Sequence, residues 1–121
     1  MNAPPPDVPR VLAAISDATR LRVLVAIGNR EAASVSTLAR EFPVSRQAVA
    51  KHVAVLRDAG LVEAGRSGRE VLYSVRPGRL QLAARWLAEA AAAWERRLAE
   101  IKRIAEAGEP LSGEGSGAAE G

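Results

Sequence analysis

Apolar residues recur along this chain at two different spacings, and the points where the spacing changes divide it into elements. Val8, Val11, Leu12 and Ile15 step by three and four, which predicts a first helix. Asp17 is placed to cap a second helix carrying Leu21, Leu24, Val25 and Ile27, and Gly28-Asn29 stops it. A short helix begins after Ser34 or Ser36, with Val35, Leu38 and Ala39 inward. Phe42-Pro43 closes it, because the residue before a proline avoids the α region. Ser45 caps a fourth helix over residues 46–59, ended by Gly60. Beyond Gly60 the period becomes strand-like, and residues 61–66 and 69–75 form a hairpin around a tight Ser67-Gly68 turn. Pro77-Gly78 breaks the second strand. The helical period then returns in Leu80, Ala83, Leu87, Ala90, Trp94, Leu98, Ile101 and Ala105. The predicted fold is mainly α with a small antiparallel β-hairpin and a long C-terminal helix.

Composition sets the limits of this domain. Residues 1–7 are Pro-rich, and residues 106–121 hold five glycines and four glutamates without apolar periodicity, so both predict disordered tails. Residues 8–105 are left as one domain, close to the usual size for a single core. The net charge is only +3, but residues 106–121 contain four acids and no base. Residues 1–105 therefore carry 17 bases against 10 acids, a net of +7, and a basic body with an acidic tail suits a polyanionic partner. Fifteen of the bases are arginine, which fits bidentate phosphate or guanine contacts; a GC-rich coding bias explains the same excess without any function.

Two short helices joined by a tight Pro-containing turn, the second entered through a Ser cap, make a helix-turn-helix. A basic-tipped hairpin directly after it makes the motif winged. Placed on a wheel, residues 46–59 put Ala48, Val49, His52, Val53, Val55, Leu56 and Ala59 on one side. Arg46, Gln47, Ala50, Lys51, Ala54, Arg57 and Asp58 fall on the other. That outer face suits a recognition helix in double-stranded DNA: Arg and Lys donate to guanine or phosphate, Gln pairs with adenine, and small Ala50 and Ala54 allow close approach. Arg46 and Gln47, next to the Ser45 cap, are placed to reach deepest. His52 falls on the inner half and reads as a packed side chain. Arg66 and Arg69 flank the hairpin turn and are candidates for phosphate or minor-groove contacts.

The last helix is too long to be covered by so small a core, and its near-heptad stripe through Leu87, Ala90, Trp94, Leu98 and Ile101, with Trp86, asks for a second copy of the chain, although packing against the chain's own body would also account for its first half. A two-fold dimer would present two recognition helices to half-sites about 10 bp apart or a multiple of that.

Other functions find little support. With no cysteine and a single histidine, no usual zinc constellation can form within one chain. No metal or cofactor is expected. Neither a Walker A loop nor G-x-S-x-G occurs, and four aromatics are too few for single-strand stacking platforms. No apolar run approaches the roughly 20 residues needed to span a bilayer. The N-terminus lacks the cationic and apolar parts of a signal peptide, so a cytoplasmic location is expected. A winged helix turned protein-interaction module is the remaining alternative. It would show a neutral or apolar recognition face, whereas this one carries Arg46, Lys51 and Arg57.

Four segments resemble one known family: residues 14–24 (AISDATRLRVL), 38–53 (LAREFPVSRQAVAKHV), 56–62 (LRDAGLV) and 68–73 (GREVLY). In this order they are similar to the ArsR/SmtB-type winged-helix transcriptional repressors, over about residues 8–105. The resemblance implies a homodimer joined through its first and last helices, with Val11 and Leu12 contributing from the first. It also implies binding to operator DNA and repression until an inducer releases it. The chain departs from metal-sensing members, having no Cys and no His on its last helix. Ala50 stands where the family often has Ser. A small organic ligand, a protein partner or no inducer at all remain as the options for an effector.

Overall fold

The computed structural model describes residues 3–108. The order is α1 (Asp7–Ala14), α2 (Ala18–Asn29), α3 (Val35–Ala39), α4 (Arg46–Asp58), β1 (Val62–Ser67), β2 (Glu70–Val75) and α5 (Gly78–Glu106). This is a winged helix-turn-helix with a long last helix, as the periodicity predicts. Residues up to Trp86 make one compact unit, and α5 from Leu87 onward makes a second. The tail expected over 106–121 lies, from residue 109, outside the described residues. Asp7, placed in the N-terminal tail by composition, is the first residue of α1.

The caps follow from side-chain chemistry. Asp17 accepts the Arg20 N–H at 2.9 Å, Ser34 that of Thr37 at 3.1 Å and Ser45 that of Ala48 at 3.0 Å, each satisfying an orphan donor of a helix start. The C-terminal end of α1 is closed differently. Arg20 reaches back to donate to the carbonyls of Ala14 and Ala13, tying α2 to α1.

The core is assembled from every element of the first unit except β2: Val8 and Val11 of α1, Val23, Leu24 and Ile27 of α2, Leu38 of α3, Val49, Val53 and Leu56 of α4, then Leu61, Val62 and Ala83. Burial of each large apolar side chain contributes about 1.5–3 kcal/mol. Phe42, Tyr73, Leu80 and Trp86 pack around its edge.

Several positions differ from the sequence expectation. Val11, expected to face a partner, is wholly enclosed by its own chain and offers no surface; Leu12 beside it is half-buried. Trp86 is half-buried against the core of its own chain. Leu21 and Val25 of α2 are exposed, because α2 turns Val23, Leu24 and Ile27 inward instead. Helix α3 stops at Ala39, well before Pro43, and the Arg40 and Glu41 N–H groups bond three residues back to Thr37 and Leu38. A tightened last turn ends it, not the proline.

Strands β1 and β2 pair antiparallel from Val62↔Val75 to Ser67↔Glu70, so the hairpin turn is Gly68-Arg69, one residue later than expected. Gly68 has φ +63°, and Arg69 keeps a negative φ. Positive φ at the first central position alone is the type II′ pattern, which matches the strand twist and favours glycine there. An isolated bridge between Ala33 and Tyr73 joins the loop before α3 to the hairpin: Ala33 N–H donates to Tyr73 at 2.9 Å and Tyr73 N–H returns the bond at 2.8 Å. That bridge fixes the wing's base beside the helix-turn-helix.

Candidate nucleic-acid interface

Helix α4 is held by one face and open on the other. Val49, Val53 and Leu56 are buried, and Ala48 and His52 are half-buried. Arg46, Gln47, Ala50, Lys51, Ala54, Arg57 and Asp58 are all exposed, together with Ser45. The wheel therefore separates the faces correctly except at Val55, which is 40% exposed. The side of α4 that turns toward its neighbours is too narrow to cover it. Arg66 on β1, opposite Val71, and Arg69 in the turn are exposed on the wing.

The charge on these residues is free. Among the described residues, Arg46, Lys51, Arg57, Arg66 and Arg69 form no ion pair, whereas Arg30 pairs with Glu41, Arg76 with Glu63 and Arg79 with Asp7. No acid lies in the first turn of α4, so the positive end of its dipole is left unneutralised beside Arg46 and Gln47. A helix start of this kind accepts phosphate oxygens. Such a face can make phosphate contacts through its cations and base-edge contacts through Arg46 and Gln47, with room for close approach at Ala50 and Ala54.

On the inner side of α4, His52 is half-buried. The Asp17 carboxyl lies below its ordinary value, first because the Arg20 backbone N–H donates to it, and further through the fields of His52 and Arg20. His52 belongs to the packing behind the recognition face.

Two residues of the region escape sequence patterning. Arg40, at the end of α3, is exposed on the turn of the helix-turn-helix and forms no ion pair among the described residues. Its neighbours in sequence carry no motif that singles it out. Arg79, at the start of α5, donates to the Ala59 carbonyl at the end of α4, a contact 20 residues apart in the chain.

Apart from the enclosed Val11, the residues expected at a dimer contact behave as two groups. Leu12, Trp86 and Ala90 are half-buried. Leu87, Trp94, Leu98 and Ile101 are exposed, Trp94 by 51% and Leu98 by 58%, large for apolar side chains of this size. Among the described residues, no helix is long and apolar enough to cross a membrane, and no group of three or more possible metal ligands gathers.

Known proteins share this arrangement. A family model described as a helix-turn-helix domain matches residues 15–64. The HTH-type transcriptional regulator YgaV of Escherichia coli K12 is 32% identical over 66 residues, which is 54% of this chain and 67% of that protein. The structure of an ArsR-like transcriptional regulator from Rhodococcus sp. RHA1 is 46% identical and superposes with a TM-score of 0.74 over 82% of this chain and 92% of that one. A further structure described as an ArsR family transcriptional regulator is 29% identical, with a TM-score of 0.68 over 78% and 97% of the two chains. These relatives are regulators of transcription, a class that is not enzymatic. On these likenesses the chain belongs to the ArsR family of winged helix-turn-helix, DNA-binding transcriptional regulators.

Proposed function

We propose that this regulator is a homodimer that binds a pseudo-palindromic operator in double-stranded DNA and acts as a repressor. The observation that carries the reading is the set of five exposed cations on α4 and the wing, Arg46, Lys51, Arg57, Arg66 and Arg69, which form no ion pair among the described residues and lie around a Ser45-capped helix start. In this reading α4 enters the major groove, Arg46 and Gln47 read base edges, and Lys51 and Arg57 hold phosphates. Arg66 and Arg69 bring the wing to the adjoining backbone or minor groove. Arg40 adds a phosphate contact from the helix-turn-helix turn.

The dimer pairs Leu12 of α1 with the α5 stripe of Leu87, Ala90, Trp94, Leu98 and Ile101, which gives the exposed apolar residues of α5 a cover. Residues 8–105 do this work. For release from DNA, the options are a small organic ligand, a protein partner or no inducer at all.

Selection of bound duplexes from a random pool at physiological salt tests the reading. The expected result is a two-fold motif with half-sites about 10 bp apart or a multiple of that, and crosslinks to the DNA at Gln47 and Lys51. A pool without an enriched motif, or crosslinks absent from α4, would sink it.

A further inference from the structure

At the start of α5 a single guanidinium joins three helices. Arg79 Nη1 donates to the carbonyl of Ala59, the C-cap residue of α4, at 3.0 Å. Its Nε lies 3.6 Å from Oδ2 of Asp7, the first residue of α1. The same side chain lies across Gly60, where an added Cβ would fall 2.7 Å from Cζ and 2.8 Å from Cδ. The φ of +77° at Gly60 is the left-handed position that ends α4 and favours glycine, and a side chain added there would have to displace the Arg79 guanidinium. A helix C-terminus leaves carbonyls without partners at the negative end of its dipole, and a planar cation with several donors is suited to meet one.

We infer that Arg79 is a positioning residue for DNA binding, which sets the angle of the recognition helix relative to α1 and to residues 78–86 at the start of α5. This rests on the dimeric DNA-binding reading above. The contacts have little weight as stabilisers: Arg79 and Asp7 side chains are 39% and 40% exposed, and exposed ion pairs contribute little. Their place gives them leverage instead. Helix α4 has 13 residues, so a tilt of about 10° at Ala59 moves Arg46 by roughly 3 Å, close to the rise of one base pair. In a two-fold dimer whose partner surfaces lie on α1 and α5, the Arg79 contacts then determine which half-site spacing both recognition helices can meet together.

The test uses the full chain and the duplex it selects, compared with versions having one base pair inserted or removed between half-sites, and with a single half-site. Folding is followed in parallel by circular dichroism. Arg79→Ala is expected to bind the single half-site within about twofold of the parent while its preference for native spacing falls by roughly tenfold. Arg79→Lys, which can still donate to Ala59 and pair with Asp7, should recover part of that preference. Gly60→Ala should lose the spacing preference in the parent background by displacing the guanidinium, and cause no further loss of it in an Arg79→Ala chain. Spacing preference retained in Arg79→Ala would overturn the proposal. So would equal weakening on the half-site and on every spaced duplex, the behaviour of a chain that is merely less stable. A parent that binds its selected duplex with no spacing preference overturns the Arg79 role alone, whereas a parent that binds no duplex overturns the DNA-binding reading with it.

Discussion

Arg46 and Gln47 stand at the start of α4 with no side-chain partner among the described residues, so their hydrogen-bonding capacity is free for a ligand. In titrations against the selected duplex, Arg46→Ala and Gln47→Ala should each lose about 1–3 kcal/mol and change base preference at one position. Arg69→Ala should weaken every sequence alike and flatten the dependence of log affinity on log salt by about one. Three variants that bind like the parent would mean that α4 and the wing face elsewhere. At this scale the sequence was informative wherever a side chain's place follows from a regular period. The outer face of α4 could be read from a wheel because seven of its residues repeat the helical angle. Val55 could not, since its exposure depends on where the neighbouring helices stop covering α4. Arg79 and Arg40 were illegible for the same reason: one acts across 20 residues and the other through the shape of a turn.

The elements depend on their caps, and one of these titrates. Because the Arg20 N–H bond holds the Asp17 carboxyl below its ordinary value of 3.8, the charged form is favoured by folding. The resulting stability is fully present above that ordinary value and is lost as the pH falls through the lower folded one. Urea midpoints measured down through the acid range should therefore fall more steeply for the parent than for Asp17→Asn, which keeps an acceptor but does not titrate. Parallel curves would place the acid-sensitive group elsewhere. Element starts were readable because Asp17, Ser34 and Ser45 each combine a short polar side chain with an apolar period just after it. Two ends were not. Helix α3 ends by tightening its hydrogen bonds, and the hairpin turn lies at Gly68-Arg69 because strand register, not dipeptide preference, decides which residues remain unpaired.

For the molecule as a whole, the exposed stripe of α5 bears most directly on assembly. Trp94 has the Arg97 guanidinium 4.8 Å from its ring centroid, a contact within the helix that leaves half of the indole open. Trp94→Glu should convert the proposed dimer to monomer on a sizing column and weaken binding to the spaced duplex far more than to a half-site. A parent that elutes as monomer at all concentrations would end the dimer proposal. Val11 shows why assembly is harder to read than folding. Its helical spacing with Val8 marks an inner face, but the pattern is the same whether that face meets its own core or a second chain.

From sequence alone came the order of elements, the caps, the split faces of α4 and the family resemblance, because these depend on neighbours within a few residues and on a period that the chain itself repeats. Tertiary packing alone decided that Val11 is enclosed while Leu21, Val25 and Val55 are not, that Ala33 bridges to Tyr73, and that Arg79 closes over Gly60 between three helices. Those outcomes turn on which distant surfaces compete for the same contact, and no local pattern records the result of that competition.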